Sequence, residues 1–311
     1  MAWTTANIPD QRGRVVLVTG ATSGLGELTA RVLAGRGAHV LLAARSAERV
    51  EDTTARINRD VPGASLEHVP LDLADLASVA EAAGRVRRHH DRLDVLVANA
   101  GVMATPPQHT ADGFEWQLGV NHLGHQALIA DLLGLVLATP ASRVVLVSSL
   151  AHRRGHIHLD DPHWRRRRYR RWEAYAASKL ANLLYAFELQ RRLEAAGDDT
   201  VAVAAHPGYA RTALQTAGPT SGGGARALLH GLAGRIGNQL LAQPPQAGVL
   251  PQLYAATAPD VAGGSYWGPS GPGELRGEVA PAQASGQARD RELAEALWEL
   301  TEDQTGVRHA R

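Results

Sequence analysis

The sequence predicts an α/β fold, a doubly wound parallel sheet of about seven strands with helices on both faces, and three observations carry that expectation. Short apolar runs alternate with longer segments of helical period from residue 14 to about residue 205. The runs are almost continuously apolar instead of alternating, as strands covered on both faces are. Each run also ends in small or polar residues, and in parallel sheets ligands bind beyond those carboxyl ends.

The elements follow in order. VVLVTG at 15–20, HVLLAA at 39–44, LEHVPLD at 66–72, DVLVANAG at 94–101, RVVLVSS at 143–149 and VAVAAHPG at 201–208 are the strand candidates. Between them lie amphipathic faces such as Ala30, Leu33 and Ala34, or Leu180, Leu184 and Leu189. Beyond Gly208 the alternation fades. Residues 214–243 are rich in Gly, Ala and Leu and include a glycine run at 222–224, which reads either as a hinged helical flap or as a surface excursion. GGSYW at 263–267 is a candidate last strand, 268–286 is expected to be a Gly/Pro-rich loop, and a helix is expected over 290 to about 300.

Composition narrows the function classes. Thirty-two basic against 31 acidic residues leave a formal charge of +1, which disfavours a nucleic-acid or strongly charged partner. Cysteine is absent, so disulfides, thiol nucleophiles and cysteine-ligated zinc are excluded, and no metal ligands are assigned. No run reaches about 18 uninterrupted apolar residues, so no membrane span is expected, and the polar start reads as that of a cytoplasmic protein.

All the basic side chains but one are arginine; the exception is Lys179, in the segment YAASK at 175–179. An ammonium is a compact charge with a tunable pKa, whereas a guanidinium is a planar fork that stays protonated, so Lys179 marks a place where charge alone does not suffice. Tyr175 lies four residues earlier, on the same helix face. A phenol beside an ammonium is expected to fall from a pKa of ~10 toward the range of a general acid/base. TGATSGLG at 19–26 follows the first strand and opens a helix, where backbone amides can approach a pyrophosphate. After the second strand, where an NAD site presents a carboxylate to the ribose, the chain has Ala44, Arg45 and Ser46. Arg45 can clasp a 2′-phosphate, so NADP(H) is preferred over NAD(H).

TGATSGLG, the ANAG turn at 98–101, Asn121, Ser149, the Tyr175/Lys179 pair and HPG at 206–208 together resemble the short-chain dehydrogenases/reductases, over about residues 14–267. VNHLGH at 120–125, SSLAH at 148–152 and SKLANLLYAFEL at 178–189 resemble the retinol-dehydrogenase-like and WW-domain-oxidoreductase-like branch. The resemblance implies a single Rossmann-type domain over 1–311. Its cofactor-binding and catalytic core covers about 10–213, a substrate flap about 214–245, and a C-terminal loop and helix 268–311. It implies Tyr175 as general acid/base, Lys179 lowering its pKa and bonding the ribose, Ser149 polarising the substrate oxygen, and Asn121 holding a relay water. Strand alternation points neighbouring serines to opposite faces, and the family places the catalytic one second, at Ser149. Gly20, Ser23, Gly24 and Leu25 are implied at the pyrophosphate, Asp72 and Leu73 at the adenine, Asn99, Ala100 and Gly101 at the ribose side, and Pro207, Gly208 and Thr212 at the nicotinamide.

The expectation is then an NADP(H)-dependent reductase or dehydrogenase of a small hydrophobic carbonyl or alcohol, forming a homodimer or homotetramer through helices near 121–138 and 175–193. An epimerase, a protochlorophyllide-reductase-like enzyme or a regulatory NADP-binding protein without turnover are the alternatives. The insertion between Ser149 and Tyr175, with His152, His156, His158, His163 and the run WRRRRYRRW at 164–172, is expected to be a solvated, partly helical surface excursion, and the resemblance implies that part of it borders the substrate entrance. His122 and His125 are expected to pack or face solvent instead of ligating.

Overall fold

In the computed structural model, residues 2–209 and 243–309 are described. The strands are β1 (Val15–Thr19), β2 (His39–Ala44), β3 (Leu66–Pro70), β4 (Val95–Ala98), β5 (Arg143–Val147), β6 (Val201–Ala205), β7 (Tyr266–Pro269) and β8 (Val279–Pro281). They form one sheet in the order β3-β2-β1-β4-β5-β6-β7-β8, parallel throughout except for β8, which runs antiparallel to β7. The eighth strand corrects the expectation of about seven strands and of a plain loop over 268–286. Two prolines flank this short ladder at the sheet edge, where a missing N–H is tolerated, and that camouflages a strand in sequence. The strand expected at 263–267 starts later, at Tyr266.

Alternation sorts the strand residues onto two faces. Leu17, Leu41, Ala43, Val69, Leu96 and Val144 pack under α3 (Leu76–His89), α5 (Gly124–Leu137) and α6 (Arg171–Ala196). Val16, Val18, Val40, Leu42, Val95 and Val145 pack under α1 (Gly24–Gly35), α2 (Ala47–Asp60) and α8 (Leu250–Thr257), which follows a single turn, α7 (Pro245–Gly248). Asp290 caps α9 (Arg291–Thr305), accepting from the Leu293 amide, and the helix runs past the expected end near residue 300 to a left-handed Gly306 at φ 68°.

The stretch Trp116–Leu137 joins α4 (Trp116–Leu118) to α5 and has the length and hydropathy of a membrane span, yet 78% of its apolar window is buried in the protein. Burial on all sides explains why its sequence shows no amphipathic period. Within it the Gly124 amide bonds the Gly119 carbonyl, an i→i+5 turn around Asn121. The Ser149–Tyr175 insertion is a stapled loop and, past the turn at Leu150–Arg154, has no helix before α6. Asp161 is buried and accepts from the Arg165 amide at 2.8 Å and the Arg166 amide at 3.2 Å, while the Arg167 guanidinium stacks 3.8 Å from the Trp164 ring. Residues 214–242 of the expected flap, its glycine hinge and Thr212 lie outside the described residues.

Candidate active site

The strand order reverses between β1 and β4, and a cleft of about 1000 Å³ opens there beyond the carboxyl ends of the strands. Gly20, Ser23, Gly24, Leu25, Arg45, Asp72, Leu73, Asn99, Ala100, Gly101, Ser149, Tyr175, Lys179, Pro207 and Gly208 all line it. Asn121 does not.

One end of the cleft is the turn between β1 and α1. A Cβ built on Gly26 would stand 2.3 Å from the Gly20 carbonyl and 2.6 Å from Asn99 Nδ2, so only glycine lets the helix start sit this close to the strand end. Ser23 is the N-cap residue of α1 and its hydroxyl makes no capping bond, which leaves it and the first-turn amides facing the cleft. Backbone carbons confined this closely, beside a helix N-terminus, fit a pyrophosphate. Arg45 and Arg49 border the same end. Arg45 is 64% exposed and sits 3.8 Å from Asp72, an ion pair too solvated to hold it firmly.

The ANAG turn is fixed from below. Asn99 Nδ2 donates to the Thr19 carbonyl at 2.9 Å, and the Asn99 and Ala100 amides donate to Thr19 Oγ1 at 3.0 and 2.9 Å. His125 Nδ1 lies 3.1 Å from the Asn121 carbonyl, which can only accept, so Nδ1 carries the proton and Nε2 accepts from the Thr19 hydroxyl at 2.8 Å. His125 and His122 are both fully buried, packing residues instead of surface ones, and burial pushes their pKa values down to about 3 and about 4. Gln252, on α8, reaches Asn99 Oδ1 at 3.3 Å and Thr29 Oγ1 at 2.5 Å.

At the other end stand Ser149, Tyr175 and Lys179. Ser148 and Ser149 point apart, as alternation requires: Ser148 Oγ donates to the Lys179 carbonyl at 2.8 Å, while Ser149 opens the turn over the cleft and accepts from the Ala151 amide at 3.2 Å. His152 ties down that turn, donating from Nδ1 to the Ser149 carbonyl at 2.7 Å and accepting at Nε2 from the Ser285 amide at 3.2 Å. Lys179 Nζ is buried, donates to the Val147 carbonyl at 3.0 Å and lies 6.0 Å from the Tyr175 ring centre. Burial holds its pKa down at about 8. The Tyr175 phenol is pushed up by burial, against a smaller downward pull from its hydrogen bond to Ser149. The expected lowering of this phenol by Lys179 is corrected: desolvation of the phenolate raises it, and the opposing pull comes from Ser149, not from the ammonium, which donates to the Val147 carbonyl. Asn121 spends its side chain on the protein, donating to the Val102 carbonyl at 3.0 Å and Ser178 Oγ at 2.9 Å and accepting from the Val102 amide at 2.7 Å.

The cleft also holds residues that the sequence reading named without giving them a role of their own, or did not name. Arg171 and Trp172, at the start of α6, face the mouth, with Trp172 57% exposed and edge-on to Tyr175. Spacing carried a signal for one of them, because Arg171 precedes Tyr175 by the four residues that separate Tyr175 from Lys179. For Gln252 there was none, since its partners Asn99 and Thr29 are distant in sequence, and His152, only three residues from Ser149, gave none for its tie to the Ser285 amide.

A switch-point cleft with a glycine turn at one end and Ser149, Tyr175 and Lys179 at the other is the architecture of a nicotinamide-cofactor oxidoreductase. The family model for short chain dehydrogenase matches residues 14–220, and the chain belongs to that family. Retinol dehydrogenase 13 of Homo sapiens is 40% identical over 304 residues, covering 94% of this chain and 84% of that protein. Polyprenol dehydrogenase of Mus musculus is 40% identical over 298 residues, covering 94% and 83%. An uncharacterized protein from Mycobacterium paratuberculosis has a crystal structure that superposes with a TM-score of 0.82 at 41% identity, covering 100% of both chains. A structure of an NAD(P) dependent gluconate 5-dehydrogenase from Beutenbergia cavernae with bound NADP gives 0.61 at 29% identity, covering 80% and 92%.

Proposed function

We propose that the protein is an NADP(H)-dependent oxidoreductase that interconverts a hydrophobic ketone or aldehyde and its alcohol, with Tyr175 as general acid/base. The observation that carries this reading is the convergence of Ser149, Tyr175 and Lys179 on one cleft whose far end is a phosphate-sized glycine turn. The cofactor supplies or accepts the hydride. Gly24, Leu25 and Ser23 would hold its pyrophosphate through amides and hydroxyl, Arg45 and Arg49 its 2′-phosphate, and Lys179 its ribose. A phenol pushed up by burial stays protonated at neutral pH, the form that donates to a carbonyl oxygen in reduction. Ser149 shares that oxygen and pre-orients the phenol. Lys179, with a pKa of about 8, can give up a proton to restore the phenol, and Asn121 would hold a relay water on the second lone pair of its main-chain carbonyl, the first being taken by His125 Nδ1.

The substrate side supports the apolar class: Val102, Met103, Trp116, Leu150 and Trp172 wall the cleft. Retinol and polyprenol, for which two relatives are named, are long apolar alcohols. A cytoplasmic homodimer or homotetramer built of one domain completes the proposal. The decisive variant is Tyr175→Phe, which keeps ring and packing and removes the proton. Its kcat with NADPH and an aldehyde should fall by about 10²–10⁴ while NADPH still binds. Turnover at the parental rate would remove Tyr175 from the chemistry.

A further inference from the structure

A second cluster of chemistry-bearing side chains sits at the opposite edge of the sheet, where the strands begin. Alternation places Leu41 and Val69 on the face covered by α3, and it places His39 and Glu67, each two residues earlier, on that same face. Helix α3 ends at His89 and its C-cap residue is His90. Three elements therefore deliver two imidazoles and a carboxylate to one point. His90 Nε2 lies 3.1 Å and His39 Nε2 3.5 Å from the same oxygen, Glu67 Oε2. All three candidate ligand atoms lie within 4.8 Å of one another.

Those spacings match a coordination sphere. Ligands about 2.0–2.2 Å from a tetrahedral ion stand roughly 3.4 Å apart. The outer groups are arranged to suit. His39 Nδ1 is 2.7 Å from Ser65 Oγ, which orients the ring and leaves Nε2 free to ligate, as outer hydrogen bonds do at histidine metal sites. Arg85 Nε stands 3.7 Å from Glu67 Oε1, steadying the carboxylate through the oxygen that faces away from the imidazoles. The three side chains are partly buried, between 12% and 30% exposed, so the site is shielded but reachable from solvent.

We propose that His39, Glu67 and His90 bind one divalent first-row transition ion of the zinc type, with water completing the sphere. Two imidazoles and one carboxylate select zinc over magnesium or calcium, which favour oxygen-only shells. None of the three residues borders the catalytic cleft. The ion's role is to tie the start of β2 and β3 to the end of α3, stabilising the sheet edge without entering the reaction.

The test uses tag-free, EDTA-treated full-length protein, titrated with Zn²⁺ and followed by thermal unfolding, with Co²⁺ absorption as a report on coordination. The wild type should bind one equivalent at micromolar concentration and melt several degrees higher with Zn²⁺. Glu67→Gln and His90→Gln should each melt as the wild type does in EDTA, weaken binding at least tenfold and lose most of the rise. NADPH binding should be the same with and without Zn²⁺. If one substitution unfolds the protein, His39→Gln gives an independent reading. Absence of a rise in the wild type, or an equal rise in the variants, overturns the proposal. The second outcome would place the ion elsewhere, as at His156 and His158, whose rings lie 4.6 Å apart.

Discussion

At the scale of single residues, the cleft is organised by charges that the protein holds in unfavourable surroundings. Lys179 survives in a chain that otherwise uses arginine because burial tunes an ammonium to about 8, which a guanidinium does not reach. Arg45 is the reverse case, since exposure keeps it solvated and its pairing with Asp72 weak. A 2′-phosphate offers charge-assisted bonding in place of that contact, worth about 1.5–3 kcal/mol in all at so exposed a side chain. Arg45→Ala should therefore weaken NADPH binding by roughly 10- to 100-fold and leave NADH binding within about twofold, read by titrating tryptophan fluorescence with each cofactor. An equal loss for both cofactors, or none for either, would remove the arginine from cofactor choice. Arg49, in the first turn of α2, would hold what affinity remains.

At the scale of elements, the approach of α1 to the end of β1 sets the width of the phosphate turn. The Gly26 contact with the Gly20 carbonyl leaves no room for a methyl group, so Gly26→Ala must push the helix outward. The expected cost is about 1–3 kcal/mol of stability together with a severalfold or greater loss of NADPH affinity. Gly134, on the exposed side of α5 with nothing within 4 Å of a built Cβ, is the matched control. Gly134→Ala should stabilise by up to about 1 kcal/mol and leave binding alone, and thermal melts with cofactor titrations of both variants would separate the two effects. Elements of this kind were legible because a βα turn leaves a local mark: a strand, three glycines and a helix in succession. The eight-strand count was not, because β8 is three residues ending in Pro281, paired at an edge with a strand that ends in Pro269. The stapling of the 150–170 insertion was equally hidden, since Asp161 carries it by accepting amides that any sequence supplies. The site residues on strand ends were readable from pattern and resemblance. Gln252, which holds Asn99 from α8, and Ser285, which tethers His152, required the three-dimensional contacts.

At the scale of the whole molecule, the same burial that builds two apolar layers around the sheet also encloses neutral histidines, and that gives the fold a pH dependence. His122 faces Asn182 Oδ1 at 3.2 Å and Gln126 Nε2 at 3.2 Å, and His125 faces Thr19 and the Asn121 carbonyl, so neither has a carboxylate to stabilise its charged form. His206 is also pushed down to about 4 by burial, against the opposing pull of Glu274 3.0 Å away. In the unfolded chain these rings titrate near 6.5. Below that pH the unfolded state binds protons that the folded state refuses, so stability falls as pH falls and is fully present above about 6.5. Each such histidine contributes a slope of about 1.4 kcal/mol per pH unit between 6.5 and its folded pKa, which places the loss between about pH 6.5 and about pH 4 for His122 and His206 and extends it to about pH 3 for His125. Urea unfolding at pH 7.5, 6.0 and 5.0 should show a progressive fall equivalent to about two to three protons taken up on unfolding. His125→Gln should lower stability at pH 7.5 yet flatten the slope by about one proton, because an amide can keep one bond of the Thr19 network without titrating. A stability that stays level from pH 7.5 to 5.0 would mean these rings charge freely in the folded state, and the tightly closed layer beneath the Asn99 turn would then have to admit water.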